Sequence, residues 1–420
     1  MRILRISLTW WLVSIACMTA APAFAFTDYC DNDRNPRQYP HCTNVDEGFA
    51  YRSGQPGDWN GDDRLLRSGV GSYWWVFDTL VEYKVYVWLA NNAFTAPHAI
   101  YEFARPTGGG LYEVDKTETF NQNTAVSGWN YLGEAGDSAF IVDRFDTSGG
   151  VGADAIRVVQ VLGTSDQPSS ADDIDQSGHC PSLVVSDPSI ASIQDKMLNA
   201  VDHYRNVRGS YHIVFANNGQ SDRVDFQVSE PDRRSMVKIT DRTGHVTMRI
   251  ADGTNTMTYL AAMREFQKSP MPADMSLQGP RVYRNVNCEP VYVHREDPAA
   301  AGDMNDITLP QNYGFWLSTA TSRIVGHDDI LGRHATEIQG QPDPYLMGKL
   351  GATTFTMWVD DQTGVLLKLV GTDDTSRQVY SIDVADIQFD VSAMNVPPIS
   401  APPAGWTAIT HQTAGEVSQP

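Results

Sequence analysis

The chain has 420 residues, 41% of them hydrophobic, and a formal net charge of −20. This length is typical of two or three domains, and the hydrophobic content is sufficient for a buried core. A protein this acidic is repelled by phosphate backbones and anionic lipid surfaces, so nucleic acid is not an expected partner.

The first 25 residues have the pattern of a signal peptide. Arg2 and Arg5 precede a short apolar run from residue 6 to residue 18, and Ala23-Phe24-Ala25 fits a small-x-small cleavage site. Cys17 suggests lipid attachment as an alternative, but Ser14 stands where a large aliphatic residue is usual. No later stretch approaches the roughly 20 apolar residues of a membrane helix. We therefore predict export to the periplasm or the extracellular space, and no integral membrane segment.

Four cysteines remain after cleavage: Cys30, Cys42, Cys180 and Cys288. An even number of cysteines in an oxidising compartment indicates disulfides, and four cysteines allow three pairings. We favour Cys30–Cys42 and Cys180–Cys288, because each pair then stays within one predicted domain. The C-x₂₋₄-C spacing of a zinc site is absent, so no metal site is expected.

The region that follows the signal peptide is predicted to be mainly β. Residues 26–47 are polar and indicate a loop-rich lead-in. Residues 48–162 contain several short alternating runs, such as Tyr83–Leu89, separated by Gly- and Asn-rich turns, a pattern typical of a β-sandwich. Asp58, Asn60 and Asp62 open like a calcium loop, but Gly69 stands where the pattern needs Glu. Residues 163–188 have the composition of a linker.

Residues 48–162 resemble the golvesin C-terminal-like domain, which is also described as similar to the carbohydrate-binding part of xanthan lyase. The resemblance rests on Gly71–Tyr73, Tyr83–Phe103, Gln122, Ser127–Gly133 and Gly152–Val159. It implies a jelly-roll-like sandwich. Trp75, Trp88 and Trp129 then suggest a flat platform for a sugar ring, although aromatic side chains also dominate sandwich cores.

Residues 189–406 are predicted to form a second unit that begins with a helix. Asp187 caps it, and apolar residues recur at helical spacing from Ile190 to Tyr204, which predicts a helix to about Val207. Alternating strands follow. The stretch from Thr353 to Leu369, with its Asp360–Gly364 turn, indicates a hairpin. Residues 407–420 are predicted to be a disordered tail.

This second unit resembles the LolA/LolB/RseB superfamily of lipoprotein carriers and envelope sensors. The resemblance rests on Asn206–Phe215, Asp252–Tyr259, Gly332–Ile338 and Met357–Lys368. It implies a curved antiparallel sheet, an incomplete barrel packed on a helix, whose concave face can hold acyl chains. The fold class is therefore predicted to be mainly β, with an N-terminal sandwich and a C-terminal half-barrel.

The sequence contains no motif that indicates an enzyme. The G-x-S-x-G, H-E-x-x-H and phosphate-loop patterns are absent, and His327-Asp328-Asp329 lies in a predicted turn. Two carboxylates of a glycosidase remain an alternative, since their separation is not visible in a sequence. No cofactor is expected.

We therefore predict an exported, non-catalytic binding protein of the cell envelope. Its partner would be a lipid, an acyl chain or a lipoprotein held in the half-barrel; a polysaccharide bound by the sandwich is the alternative. The candidate apolar lining of the half-barrel consists of Tyr211, Ile213, Phe215, Phe226, Val228, Tyr259 and Trp358. Each of these side chains also fits an ordinary core between sheet and helix.

Overall fold

The structure is a computed structural model. It describes residues 27–32, 42–77, 82–108, 111–136, 139–144, 148–161, 175–181, 187–271, 279–302, 304–392 and 394–408. The predicted signal peptide, most of the predicted linker and residues 409–420 lie outside these ranges. Across them the chain is mainly β, as predicted.

The N-terminal strands are short and run in close succession. They are β1 (Thr27–Cys30), β2 (Cys42–Glu47), β3 (Ala50–Ser53), β4 (Asp62–Leu66), β5 (Gly71–Phe77), β6 (Tyr83–Leu89), β7 (Ala99–Gly108), β8 (Leu111–Phe120), β9 (Gly128–Ala135), β10 (Ala139–Arg144), β11 (Val151–Ala153) and β12 (Ile156–Gln160).

The rest of the described chain adds three α-helices and fourteen strands. They are α1 (Pro188–Leu198), β13 (Asn206–Phe215), β14 (Gln220–Ser229), β15 (Arg234–Thr240), β16 (Val246–Asp252), β17 (Asn255–Leu260), β18 (Glu265–Pro270), β19 (Arg281–Arg284), β20 (Pro290–Val293), α2 (Gln311–Thr319), β21 (Thr321–Ile330), β22 (Arg333–Gln341), α3 (Pro344–Leu350), β23 (Thr354–Asp360), β24 (Leu366–Thr372), β25 (Gln378–Phe389) and β26 (Thr407–Ala408).

Two sheets of the N-terminal region carry the main core of this part of the chain. Among the described strands, one sheet has the order β1-β12-β6-β9-β20-β19 and the other β2-β5-β10-β7-β8; a small third sheet is β11-β4-β3. Strand β6 alternates as predicted, since Tyr83, Val85 and Val87 enter one apolar cluster while Tyr86 joins another. Alternation sends successive side chains to opposite faces of a strand.

The sheets of the sandwich include strands from outside residues 48–162, the range predicted for this domain. The predicted lead-in of residues 26–47 is not simply a loop, because β1 pairs with β12 and β2 pairs with β5. Strands β19 and β20 come from the second predicted unit, yet β20 pairs in parallel with β9. Backbone hydrogen bonding therefore crosses the boundary predicted between the two units.

The fourth sheet of the described chain is the largest. Its twelve strands, counted over the described residues, have the order β21-β22-β23-β24-β25-β13-β14-β15-β16-β17-β18-β26. All neighbours are antiparallel except β18 and β26. The predicted hairpin is present as β23 and β24, with Gly364 at φ 76° in its turn. The predicted tail begins with a short strand, since Thr407 pairs with Glu265.

The first helix is shorter than the apolar spacing predicted. The Asp187 carboxylate accepts a 2.8 Å hydrogen bond from the Ser189 backbone, as a capping residue does. The helix ends at Leu198, and β13 begins at Asn206, where the backbone pairs with Ser229 of β14. A 3₁₀ turn, Ala200–Asp202, follows the helix, and sheet hydrogen bonds replace the predicted helix from Asn206 onward. In the parts of the chain described, no helix is long and apolar enough to cross a membrane.

The disulfides join Cys30 to Cys42 and Cys180 to Cys288, the pairing that the sequence favoured. Their Cα atoms lie 5.7 Å and 5.4 Å apart. Both separations are ordinary for disulfides. The second bridge spans 108 positions of sequence and ties the linker region to the β19–β20 hairpin.

Candidate functional site

One face of the twelve-stranded sheet packs against the helices and carries a continuous apolar surface; we call it the concave face, after the expected fold. Strand β13 alternates, so that Tyr211, Ile213 and Phe215 are at most 1% exposed while His212 and Val214 face outward. Phe226 and Val228 of β14 lie in the same apolar cluster. Five of the seven predicted lining residues therefore share one buried surface.

This surface is covered by the protein's own helices. The cluster includes at least one apolar side chain from each helix, namely Ile190 and Met197 of α1, Phe315 and Trp316 of α2, and Leu346 and Leu350 of α3. The predicted lining residues are thus packed core in this structure and not the wall of an open cavity.

Tyr259 lies apart from those five residues, whereas Trp358 packs against their cluster as a partly buried side chain. Tyr259 belongs to a separate cluster with Trp406, and its hydroxyl donates a 2.7 Å hydrogen bond to the Ser400 carbonyl. Trp358 is half-buried, and the Lys368 ammonium lies 4.7 Å from the centre of its ring. Tyr259 therefore anchors the C-terminal segment, and Trp358 carries a cation–π contact.

Hydrogen bonds join the cover to the sheet and to the segment before it at several points, among them Ser235 to the Ala299 carbonyl at 2.6 Å and the Leu366 backbone to the Ile307 carbonyl at 3.1 Å. The Tyr211 hydroxyl accepts a 3.1 Å hydrogen bond from the Asp306 backbone, and the Tyr204 hydroxyl donates to the Thr308 carbonyl at 3.3 Å. The Lys196 ammonium donates to the Asp361 carbonyl. Between these hydrogen bonds, the contacts within the shared cluster are apolar and non-directional, of the kind that an apolar ligand can replace.

A buried turn of the sandwich, residues 121–126, completes this cover; we call it the clamp turn. Gln122 anchors it to the sandwich. Its side-chain amide donates to the Tyr101 hydroxyl at 2.7 Å and to the Gly152 carbonyl at 2.8 Å, and its oxygen accepts from the Gly152 backbone at 2.9 Å. These three bonds fix the side chain while the backbone faces the other half of the molecule.

The other side of the clamp turn contacts α2 and α3. The Trp316 indole donates to the Thr124 carbonyl at 2.8 Å, and the Asn312 amide donates to the Thr124 hydroxyl at 3.0 Å. The Lys349 ammonium donates to the Gln122 carbonyl at 2.5 Å. Val126 belongs to the same apolar cluster as the concave face. The clamp turn thus connects both halves through buried contacts.

Sequence reasoning did not identify the clamp turn or Lys349. The polar run Asn121-Gln122-Asn123-Thr124 has the composition of an exposed loop. Lys349 is 3% exposed, and burial lowers its pKa to about 7. No sequence signal distinguishes this lysine from one that faces solvent.

A polar cleft of about 120 Å³ lies between β8 of the sandwich and β16–β18 of the large sheet. The Lys116 ammonium lies 2.9 Å from Glu118 and 3.3 Å from Glu296. Burial alone would lower the pKa of Lys116, but these two carboxylates raise it. Burial also lowers the pKa of His294, to about 4. Lys116 therefore stays charged, and its charge is balanced by the two carboxylates. His294 is uncharged at neutral pH.

A second cavity, of about 310 Å³, lies among three hairpin turns at one end of the large sheet. The turns follow β13, β15 and β17. None of the seven predicted apolar residues lines either of these two cavities.

Of the three tryptophans suggested as a sugar platform, Trp75 packs inside the sandwich, whereas Trp88 and Trp129 lie in a separate apolar cluster on the other face of β6 and β9. Trp75 and Trp129 are at most 1% exposed. Trp88 is half-buried, lies edge-on to Trp129 with ring centres 5.2 Å apart, and donates to the Gly57 carbonyl. They therefore do not form the exposed flat surface that the sequence suggested, because their apolar area is used in the core.

The stretch Asp58–Asp63, whose sequence resembles the start of a calcium loop, makes hydrogen bonds and an ion pair within the fold. The Asn91 amide bridges Asp58 at 2.6 Å and Asp63 at 2.8 Å, and Arg52 forms an ion pair with Asp63. Burial raises the pKa of Asp63 to about 7. Among the described residues, no group of three His, Cys, Asp or Glu side chains is arranged to hold a metal ion.

Comparison with known proteins gives structural matches only. No protein-family model and no curated protein matches the chain. Similar solved structures include an uncharacterised conserved protein of Thermus thermophilus, with 8% identity over 53% of this chain and 98% of that chain and a TM-score of 0.30. The lipoprotein LppX of Mycobacterium tuberculosis shows 15% identity over 50% and 100%, with a TM-score of 0.29.

The MucA/MucB complex of Pseudomonas aeruginosa also matches, with 12% identity over 48% of this chain and 58% of that chain and a TM-score of 0.26. Each of these three matches covers about half of this chain. At these identities and TM-scores the matches do not establish a shared function.

Proposed function

We propose that this protein is an exported, non-catalytic binding protein that holds an acyl chain or an acylated protein against the concave face of its twelve-stranded sheet. The observation that carries the proposal is the continuous apolar face formed by β13 and β14, which is covered by three separate short helices. The sequence resemblance to lipoprotein carriers supports the same ligand class. The signal-peptide pattern supports export.

Binding on this face requires the helical cover to move, because the five central side chains are buried in the closed state. An acyl chain that covers roughly 300 Å² of apolar surface contributes about 7.5 kcal/mol, at about 25 cal/mol per Å². That contribution offsets the loss of the contacts between sheet and helices. The sheet itself keeps its backbone hydrogen bonds throughout.

Two neighbouring positions on β13 give a matched test. Ile213→Thr places a hydroxyl on the concave face, whereas Val214→Thr makes a similar change at a side chain that is 40% exposed on the other face. We expect Ile213→Thr to weaken binding of a fluorescent fatty acid by about fivefold to 150-fold, because burying a hydroxyl against the ligand costs about 1–3 kcal/mol. Val214→Thr should bind like the unchanged protein.

The binding site itself is mapped with a photoreactive fatty acid and peptide mass spectrometry on the full mature chain. Labelling should concentrate on peptides from β13, β14 and the helices. Absence of fatty-acid binding, or labelling confined to the outer face of the sheet, would contradict the proposal. Circular dichroism of both variants verifies that they fold.

A further inference from the structure

Strand β21 is an exposed edge of the large sheet. It pairs with β22 on one side and ends the sheet on the other, as far as the described strands show. Its ten residues are exposed or half-buried throughout, and the apolar side chains Ile324 and Val325 are 36% and 43% exposed. An edge of this length presents unpaired backbone groups that can template another strand.

The hairpin turn determines which backbone groups point outward. Leu331 and Gly332 both have positive φ, 52° and 76°, as in a two-residue type I′ turn. Ile330 and Arg333 therefore form the hydrogen-bonded pair that closes the turn. Along β21 the backbone groups alternate between facing β22 and facing away from it, with one extra residue at the irregularity between Ile324 and Gly326. The backbone groups of Ile324, His327 and Asp329 therefore face away from β22.

The charges on this edge are arranged in a self-complementary order. Arg323 lies near the start of β21, and Asp328 and Asp329 lie near its end. Arg323 is opposite Gln339 and Asp328 is opposite Ala335 on β22, so both side chains project from the same face of the sheet. Two copies of β21 can pair in antiparallel orientation. The outward backbone groups of Ile324 in one copy then lie opposite those of His327 in the other copy. That register places Arg323 of each copy opposite Asp328 of the other.

We propose that β21 is a homodimer interface, in which two copies of this chain join edge to edge in an antiparallel, two-fold arrangement. Charges on an edge strand ordinarily discourage pairing. Here the antiparallel register turns them into two symmetry-related Arg–Asp pairs, while parallel pairing would set Arg323 against Arg323. Opposite charges directly across two strands stabilise pairing, and like charges destabilise it. A two-fold contact of one surface with itself closes after two copies.

The test is a charge exchange on the full mature chain, measured by sedimentation at several protein concentrations. We expect the unchanged protein to dimerise reversibly. Arg323→Asp and Asp328→Arg, each alone, should raise the dissociation constant about tenfold or more, because each creates two like-charge pairs. The double variant Arg323→Asp with Asp328→Arg should restore dimerisation.

Arg208→Asp supplies the control, because it makes the same net-charge change on an exposed side chain of β13, whose guanidinium contacts Gln388. It should dissociate like the unchanged protein. A chain that is monomeric at every concentration overturns the proposal, as does a double variant no better than the single ones. Equal weakening by Arg208→Asp would also overturn it, since net charge and not the register would then govern association.

Discussion

Lys349 is a buried lysine in the interface between the two halves. Its ammonium donates to the Gln122 carbonyl and, at 2.8 Å, to the Tyr345 hydroxyl. Neither of these partners carries a negative charge. Burial disfavours the charged form of an amine, which is why the pKa of Lys349 falls to about 7.

A pH series on the unchanged protein and Lys349→Met tests this environment. The pKa of Lys349 is lower in the folded state than in the unfolded state, where it is about 10.4. Between pH 7 and pH 10 the unfolded state therefore binds more protons, so the stability of the unchanged protein should rise with pH relative to the variant. The slope has an upper limit of about 1.4 kcal/mol per pH unit. Urea denaturation measures it, and a flat or falling difference would show that Lys349 is not desolvated.

The clamp turn is the element whose loss should loosen the cover of the concave face. Gln122→Leu removes three hydrogen bonds and leaves the Gly152 backbone and the Tyr101 hydroxyl buried without these partners. We expect a loss of about 2–4 kcal/mol of folding free energy. Hydrogen exchange should also become faster in α2, because Thr124 would hold Trp316 less firmly.

Gln388→Leu is the matched control for that variant. Gln388 is exposed and contacts Arg208 on the outer face of the sheet. Its replacement should change stability by less than about 0.5 kcal/mol. If both variants lose the same stability, or if α2 stays protected in Gln122→Leu, the clamp turn does not control the helical cover.

At the scale of the whole molecule, the Cys180–Cys288 bridge and the β19–β20 hairpin hold the two halves together. Removing this bridge, by Cys180→Ser with Cys288→Ser, should cost about 4–5 kcal/mol on chain-entropy grounds, because it closes a loop of roughly 110 residues. The Cys30–Cys42 bridge closes a loop of roughly 13 residues, and its removal should cost about 3 kcal/mol. Denaturant unfolding of both double variants measures the two losses of stability. A larger loss for the Cys30–Cys42 variant would contradict the prediction.

Local patterns predicted the elements whose structure depends on local contacts. The alternation of Tyr83–Leu89 gave a strand with two different buried faces, because side chains alternate across any strand. The Asp360–Gly364 turn gave a hairpin, in which the Asp360 carboxylate accepts a 2.7 Å hydrogen bond from the Thr363 backbone. The Asp187 cap was also predicted, since a cap bonds within its own helical turn.

The candidate site was predictable only in part. Alternation correctly placed Tyr211, Ile213 and Phe215 on one face, but it does not reveal what covers that face. In the structure the cover includes Val126, which lies 80 residues before β13, and Trp316, which lies 101 residues after it. Trp88 and Trp129 were equally ambiguous, because a tryptophan on a strand has the same spacing whether it faces solvent or a core.

The sequence by itself determined the export signal pattern, the mainly β class and the apolar face of β13 and β14, because these follow from composition and from short-range periodicity. Tertiary structure alone decided that α1 ends at Leu198, that β20 pairs with β9, and that Lys349 is buried against the clamp turn. Each of those outcomes depends on hydrogen bonds or packing between distant segments. Their free energy outweighs local preference, and no local pattern records it.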